Sequence, residues 1–269
     1  IIIYRKCSLE IFNKIRKNGI VSFDISSIFG TKIFDIISKT SELPLLIYSD
    51  EGIEETVTSI FKKIKSSGQE DALGNLRGTL FEYLMYPFLK NLYSDATISQ
   101  NVILKDDTDK YEYDFIIKSE HPSEIILVEV KGIREGTYIQ VGDLTEAATL
   151  KYFFNGAVPF ARKKLNNELS NNKKLKAIYI TSGGYWDAGD FIAKTNQSKI
   201  KSLKINAIID RLELITLLKT NGFESEIKTI KQYYSDPNKV KISKNKNFKM
   251  SLEDKINNGI LDDILNGTE

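Results

Sequence analysis

The sequence predicts an α/β protein in which a mixed sheet is flanked by helices, and three observations carry that prediction. A long amphipathic helical pattern over residues 71–92 leads into strand-like segments at 97–104, 111–117 and 124–131. Helical and strand patterns then alternate through residue 219, so the sheet needs both hairpin and crossover connections. Of the 269 residues, 41% are hydrophobic and 28% charged, which describes a globular chain long enough to bury a sizeable core. No run of about 18 apolar residues offers a membrane span.

The elements follow in order. Leu9, Ile11, Phe12 and Ile15 form a helical stripe that stops at Asn18-Gly19, and Ile25, Ile28 and Phe29 form a shorter one that stops at Gly30. Thr31 is placed to cap a third helix carrying Ile33, Phe34, Ile36 and Ile37. Leu43 to Tyr48 reads as a strand and Ser49 to Gly52 as a turn. That order fits either a winged helix-turn-helix module, with its third helix in a DNA major groove, or a three-helix packing cap. Residues 53–67 read as a further helix closed by Ser66-Ser67-Gly68. The expected domains are therefore 1–68, 69–225 and a C-terminal extension over 226–269.

In the second domain Leu73, Leu76, Leu80, Leu84 and Phe88 mark the buried side of the long helix, with a kink expected at Pro87. Glu82 lies one turn after Gly78 on the same face, where the glycine permits another backbone to approach. After the strands, helical spacing from Asp143 to Leu169 is expected in two pieces divided at Pro159. A strand over Lys176–Thr181 runs into Ser182-Gly183-Gly184. A short helix over 186–194, a strand over 205–209 and a helix over 212–219 complete the prediction.

Chemistry is concentrated in the hairpin. Tyr111 to Ile117 and Glu124 to Lys131 are rich in β-branched and aromatic residues, with His121-Pro122-Ser123 between them. Asp114 interrupts an apolar strand, and Glu129 and Lys131 stand two residues apart, hence on one face of the next. Charges in such strands are costly unless they pair or coordinate a metal. Asp114 beside Glu129 would offer two hard oxygen ligands of the kind Mg²⁺ takes, with a lysine alongside.

These residues resemble the PD-(D/E)xK nuclease superfamily, and within it the Mrr-like restriction endonuclease branch. The carriers are Gly78 and Glu82 on the first core helix, Asp114 on one strand, and Glu129-Val130-Lys131 on the next. Tyr179 to Gly184 and Asn206 to Leu214 also fit that branch, and the resemblance covers roughly residues 72–222. Tyr113 stands where the motif's name places proline. The resemblance implies a restriction-endonuclease-like sheet and a Mg²⁺-dependent endonuclease, with Mn²⁺ able to substitute. It further implies that Glu82, Asp114, Glu129 and Lys131 are catalytic. Asp114, Glu129 and the backbone carbonyl of Val130 would bind the metal. Glu82 would either support Lys131 or help hold a second metal. The implied partner is nucleic acid, DNA favoured over RNA, in a restriction or antiviral defence setting, with a second copy or other defence-system subunits as protein partners. A nucleic-acid-binding subunit with an inactive nuclease fold and an RNA-cutting effector are the competing readings.

Other residues carry weaker signals. Tyr138, Gln140 and Lys151 are candidates for phosphate contact or plain surface positions, and Tyr185 and Trp186 for base stacking or core packing. His121 reads as a turn residue. One cysteine, Cys7, excludes an intrachain disulfide and, with one histidine, a Cys/His zinc cluster. A cytoplasmic location is the resulting expectation. The chain opens on Ile1-Ile2-Ile3, so its true N-terminus is expected further upstream. The net charge of +2 implies no partner by itself. Arg162 to Lys176 and the lysines from Lys228 to Lys249 are basic runs, each open to a solvated-face or a phosphate-tracking reading.

Overall fold

The computed structural model describes residues 2–4, 7–20, 22–24, 31–49, 52–67, 74–133, 137–170, 173–199 and 205–234. The stripe expected at Ile25, Ile28 and Phe29 and the lysines beyond residue 234 lie outside them. The chain divides into two compact units, Ile1–Leu76 and Arg77–Glu269.

In the first unit, strand β1 (Ile2–Tyr4) pairs in parallel with β2 (Ser22–Asp24) across helix α1 (Leu9–Lys17). The Ser8 hydroxyl caps α1 by accepting the Ile11 N–H at 3.3 Å. The stripe read as buried on α1 is largely in solvent, with Leu9 75% and Ile11 55% exposed. Helices α2 (Thr31–Thr40), α3 (Leu43–Ser49) and α4 (Ile53–Ser67) bury Ile36, Leu43, Ile47, Val57, Ile60 and Phe61. Leu43–Tyr48 is thus helical and not the strand expected. Pro44 falls in the first turn, where its missing N–H is no loss, and the Glu42 carbonyl accepts from Leu45. Leu43 and Ile47, one turn apart, then share the buried face.

The second unit is built on a five-stranded mixed sheet among the described residues. Strands β3 (Thr97–Lys105), β4 (Lys110–Glu120) and β5 (Ser123–Lys131) form an antiparallel meander. On the far side of β5, β7 (Lys174–Thr181) and β9 (Ile208–Ile209) pair in parallel. Between β5 and β7, β6 (Ile139–Gln140) leaves the main sheet to pair with β8 (Tyr185–Trp186). Helix α5 (Gly74–Leu92) precedes the sheet, stays one helix through Pro87, and sets Tyr86 against Phe115 at a ring separation of 6.3 Å. Ile125 and Leu127 face a core shared with Phe153, Phe154 and Ala157, so the sheet is covered on both sides. At its lower end a buried ion pair joins Lys176 of β7 to Glu124 of β5.

Several predicted elements of this unit differ from what forms, and the helix expected from Asp143 begins only at Leu150. The break expected at Pro159 is absent. A π-helix over Tyr152–Ala157 runs directly into α6 (Val158–Lys164), its wider turn absorbing the hydrogen bond proline cannot give, and the helical path breaks instead at Leu165 before α7 (Asn166–Leu169). Trp186 belongs to β8, and the helix expected from it begins only at Gly189, as α8 (Gly189–Lys199). The strand expected over 205–209 shortens to Ile208–Ile209. Helix α9 (Arg211–Thr220) forms as predicted, capped by the Asp210 side chain on the Glu213 N–H. A last helix, α10 (Glu224–Tyr233), was not predicted; it buries Ile227 and Ile230 of what read as an extension.

The buried Tyr113 hydroxyl donates to the Ala157 carbonyl at 2.7 Å, tying β4 to the end of the π-helix. Tyr113→Phe removes that buried bond, and urea unfolding should show a loss of about 1 kcal/mol without loss of the fold.

Candidate active site

The hydrogen-bond ladder between β4 and β5 runs from Glu120↔Ser123 to Phe115↔Val128 and stops. The next rung would have joined Asp114 to Glu129. Instead the Asp114 carboxylate accepts the Val130 N–H, with Val130 N to Asp114 Oδ2 at 2.7 Å. On the other side of β4 the rungs Gln100↔Phe115 and Val102↔Tyr113 flank a gap at Asn101, whose φ of 50° is left-handed. Asparagine tolerates that region better than a β-branched residue would, so the strand turns aside at Asp114 without breaking. The gap between β4 and β5 is what gives charged side chains room at the end of an otherwise apolar sheet.

Three of the four sequence-predicted residues converge there. Lys131 forms an ion pair with Glu129 Oε1, and its Nζ stands 4.0 Å from Asp114 Oδ2. Their side chains are only 26%, 13% and 12% exposed, so water compensates them poorly. Glu82, half-buried on α5, adds its field to the same three groups.

The balance of charge is unequal. Burial and the charge of Asp114 push Glu82 from the ordinary 4.5 to about 7. Burial and Asp114 likewise hold Glu129 at about 7 despite its lysine partner. Burial raises Asp114, with Lys131 and the Val130 N–H opposing it. At Lys131 burial favours the neutral amine, but Glu129 and Asp114 outweigh it and lift the ammonium to about 12. One lysine is thus shared among three carboxylates, and the cluster is short of positive charge.

Among the described residues, no group of three or more His, Cys, Asp or Glu side chains is gathered closely enough to hold a metal ion. The donor set nevertheless fits a cation that needs few protein ligands. Mg²⁺ is commonly held by one or two carboxylates and keeps several waters. Glu129 and Asp114 supply hard oxygens, and the charge deficit is of the sign a divalent cation corrects.

The remaining candidates scatter. Val130 was expected to offer only its backbone carbonyl, and its side chain turns into the core at 2% exposure. Tyr185 is buried, its hydroxyl donating to the Ile209 carbonyl, so it packs and cannot stack on a base. Trp186 is half-buried edge-on to Tyr138 at 6.0 Å. Gln140 and His121 are exposed, and Lys151 is half-buried immediately before the π-helix. The sequence reading passed over Asn101, Gly132 and Tyr234. Only Asn101 carried a signal, as a turn-prone residue inside a β-branched run. No protein-family model matches the chain, and no curated protein matches it.

Glu82 and Glu129 hold protons in the folded chain up to about pH 7, where the unfolded chain has already released them. Their contribution to stability is therefore complete below pH 4.5 and is lost as pH rises through 7, so without metal the melting temperature should fall across that window. At fixed ionic strength Mg²⁺ should raise it again at neutral pH. Asp114→Asn should be at least as stable as wild type without metal and should lose most of the Mg²⁺ response. Equal metal responses would remove Asp114 from the ligand set.

Proposed function

We propose that this chain is a Mg²⁺-dependent phosphodiesterase of the PD-(D/E)xK type, an endonuclease acting on nucleic acid and on DNA in preference to RNA. The observation that supports it most is the convergence of Asp114, Glu129 and Lys131 where the β4–β5 ladder opens. The meander β3-β4-β5 followed by parallel β7 and β9 is compatible with a restriction-endonuclease-like sheet. Bound Mg²⁺, held by Asp114, Glu129 and the Val130 carbonyl, would supply Lewis acidity and lower the pKa of a coordinated water, with Glu82 supporting Lys131; Mn²⁺ would serve similarly.

The chain's own residues do the rest. Lys131 keeps its proton at every physiological pH, so it acts as a fixed positive charge and donor. It orients the attacking water and offsets charge on a phosphate oxygen. Glu129 holds the ammonium in place, and Asp114, anchored by the Val130 N–H, holds its own carboxylate in a fixed direction. Glu82 raises the demand of the cluster for a cation. For the first unit, the helical state of Leu43–Ser49 favours a packing cap over a winged helix-turn-helix module. A defence-system role follows from the resemblance to the Mrr-like branch.

Plasmid, linear duplex, single-stranded DNA and RNA, each incubated with Mg²⁺, Mn²⁺ or EDTA, test the reading. Metal-dependent cleavage of duplex DNA is expected. Glu129→Gln and Lys131→Met should each lower the rate by at least about 100-fold while remaining folded. Cleavage confined to RNA moves the chain to the RNA-cutting class. Binding without cleavage supports the inactive subunit, and wild-type rates from both variants remove the site.

A further inference from the structure

Gly132 follows Lys131 at the end of β5, and α5 crosses directly over it. A Cβ added there would lie 2.5 Å from the Phe81 Cβ, 2.9 Å from the Arg77 carbonyl oxygen and 2.9 Å from a ring carbon of Tyr234. Only glycine lets the helix approach so closely. The two chain segments that touch are those carrying the site, since Phe81 precedes Glu82 and Gly132 succeeds Lys131.

Tyr234 closes this contact from the third side. Just beyond the end of α10 and 4% exposed, it packs its ring against Phe81 at a centroid distance of 5.1 Å and donates its hydroxyl to the Arg77 carbonyl at 3.2 Å. Its own support is fixed. The buried Arg211 guanidinium donates to the Ile230 carbonyl at 3.4 Å and to the Ser182 carbonyl at 3.0 Å. Ser182 in turn donates its N–H to the Lys131 carbonyl at 3.0 Å, and its hydroxyl accepts the Ile133 N–H at 2.9 Å. The end of the last helix and the end of the lysine strand are therefore braced through one arginine.

We infer that Tyr234 is a positioning residue for the candidate site, clamping α5 onto Gly132 and so setting how far Glu82 stands from Lys131 and Asp114. The inference rests on reading Glu82, Asp114 and Lys131 as the site, and not on any particular substrate. The clamp forces Glu82 toward Asp114. Releasing it lets the helix relax and weakens their repulsion, and the site then loses its geometry before the sheet loses its fold.

A double-mutant cycle measures this directly. In urea unfolding at a fixed pH of about 8 without metal, Glu82→Gln should raise the midpoint by removing a half-buried carboxylate from beside Asp114. In the Tyr234→Leu background that gain should fall to roughly half or less. In Tyr234→Phe, which keeps the ring, it should be retained. A residue that merely stabilised the fold would give additive effects, and equal gains in the Tyr234→Leu and wild-type backgrounds would overturn the inference. Should Tyr234→Leu not fold, Tyr234→Met replaces it in the same cycle. In a cleavage assay, Tyr234→Leu should lower kcat roughly tenfold with KM unchanged, and Tyr234→Phe should restore it. An unchanged kcat in Tyr234→Leu would also count against the clamp. A wild-type protein that cuts no nucleic acid would count against the phosphodiesterase reading, and the cycle would still decide the role of Tyr234.

Discussion

The Lys131 ammonium, lodged between Glu129 and Asp114 in the opening between two strands, governs how the second unit is arranged. An ammonium and two carboxylates with little access to water are stable only if the opposite charges meet, and removing the cation from such a set typically costs about 3–5 kcal/mol. The unit meets that demand with backbone before it uses side chains. The Val130 N–H, freed because the ladder ends one rung early, goes to Asp114. The Lys131 carbonyl takes the Ser182 N–H and the Thr181 hydroxyl. Main-chain groups thus fix both ends of the charged cluster, and the side chains have little freedom left to relax.

A second consequence of this crowding is electrostatic. With Glu82, Asp114 and Glu129 sharing one lysine, part of the negative charge is unmatched, and burial together with mutual repulsion raises Glu82 and Glu129 from the ordinary 4.5 to about 7. A fold does not gain stability from such an arrangement. Clustered ionisable groups with shifted affinities for protons are more often the mark of a site that binds or reacts than of a structural device.

What could be read from the sequence followed from strict periodicity. Glu129 and Lys131 share a face because strands repeat every two residues, and a hairpin between the two segments brings Asp114 beside them. The α5 pattern was legible because its apolar residues recur over five turns. Elsewhere local pattern and final state part company. Leu43–Tyr48 is as apolar as a strand, and only packing of Leu43 and Ile47 with the other helices of its unit decides for helix. Pro159 breaks an ordinary α-helix but follows a π-turn without penalty, and nothing in the residues announces a π-turn. Helix α10 was hidden because Ile227 and Ile230 are its few apolar residues amid charged ones, too sparse a stripe to announce a buried face. The tight contact at Gly132 was illegible for a simpler reason: a glycine after a strand reads as a turn, and its true neighbours come from α5 and the end of the chain.

The buried Lys176–Glu124 pair at the other end of β5 has a meaning beyond its own energy. Backbone pairing alone allows β7 to slide along β5 in steps of two residues, since each step returns every side chain to the face it came from. A step in one direction parts Lys176 from Glu124 and strands two charges in the core. A step in either direction carries Thr181 and Ser182 past the Lys131 carbonyl that receives them. Hydrophobic contacts tell β7 which strand to join; the ion pair and the hydroxyl tell it where to stop.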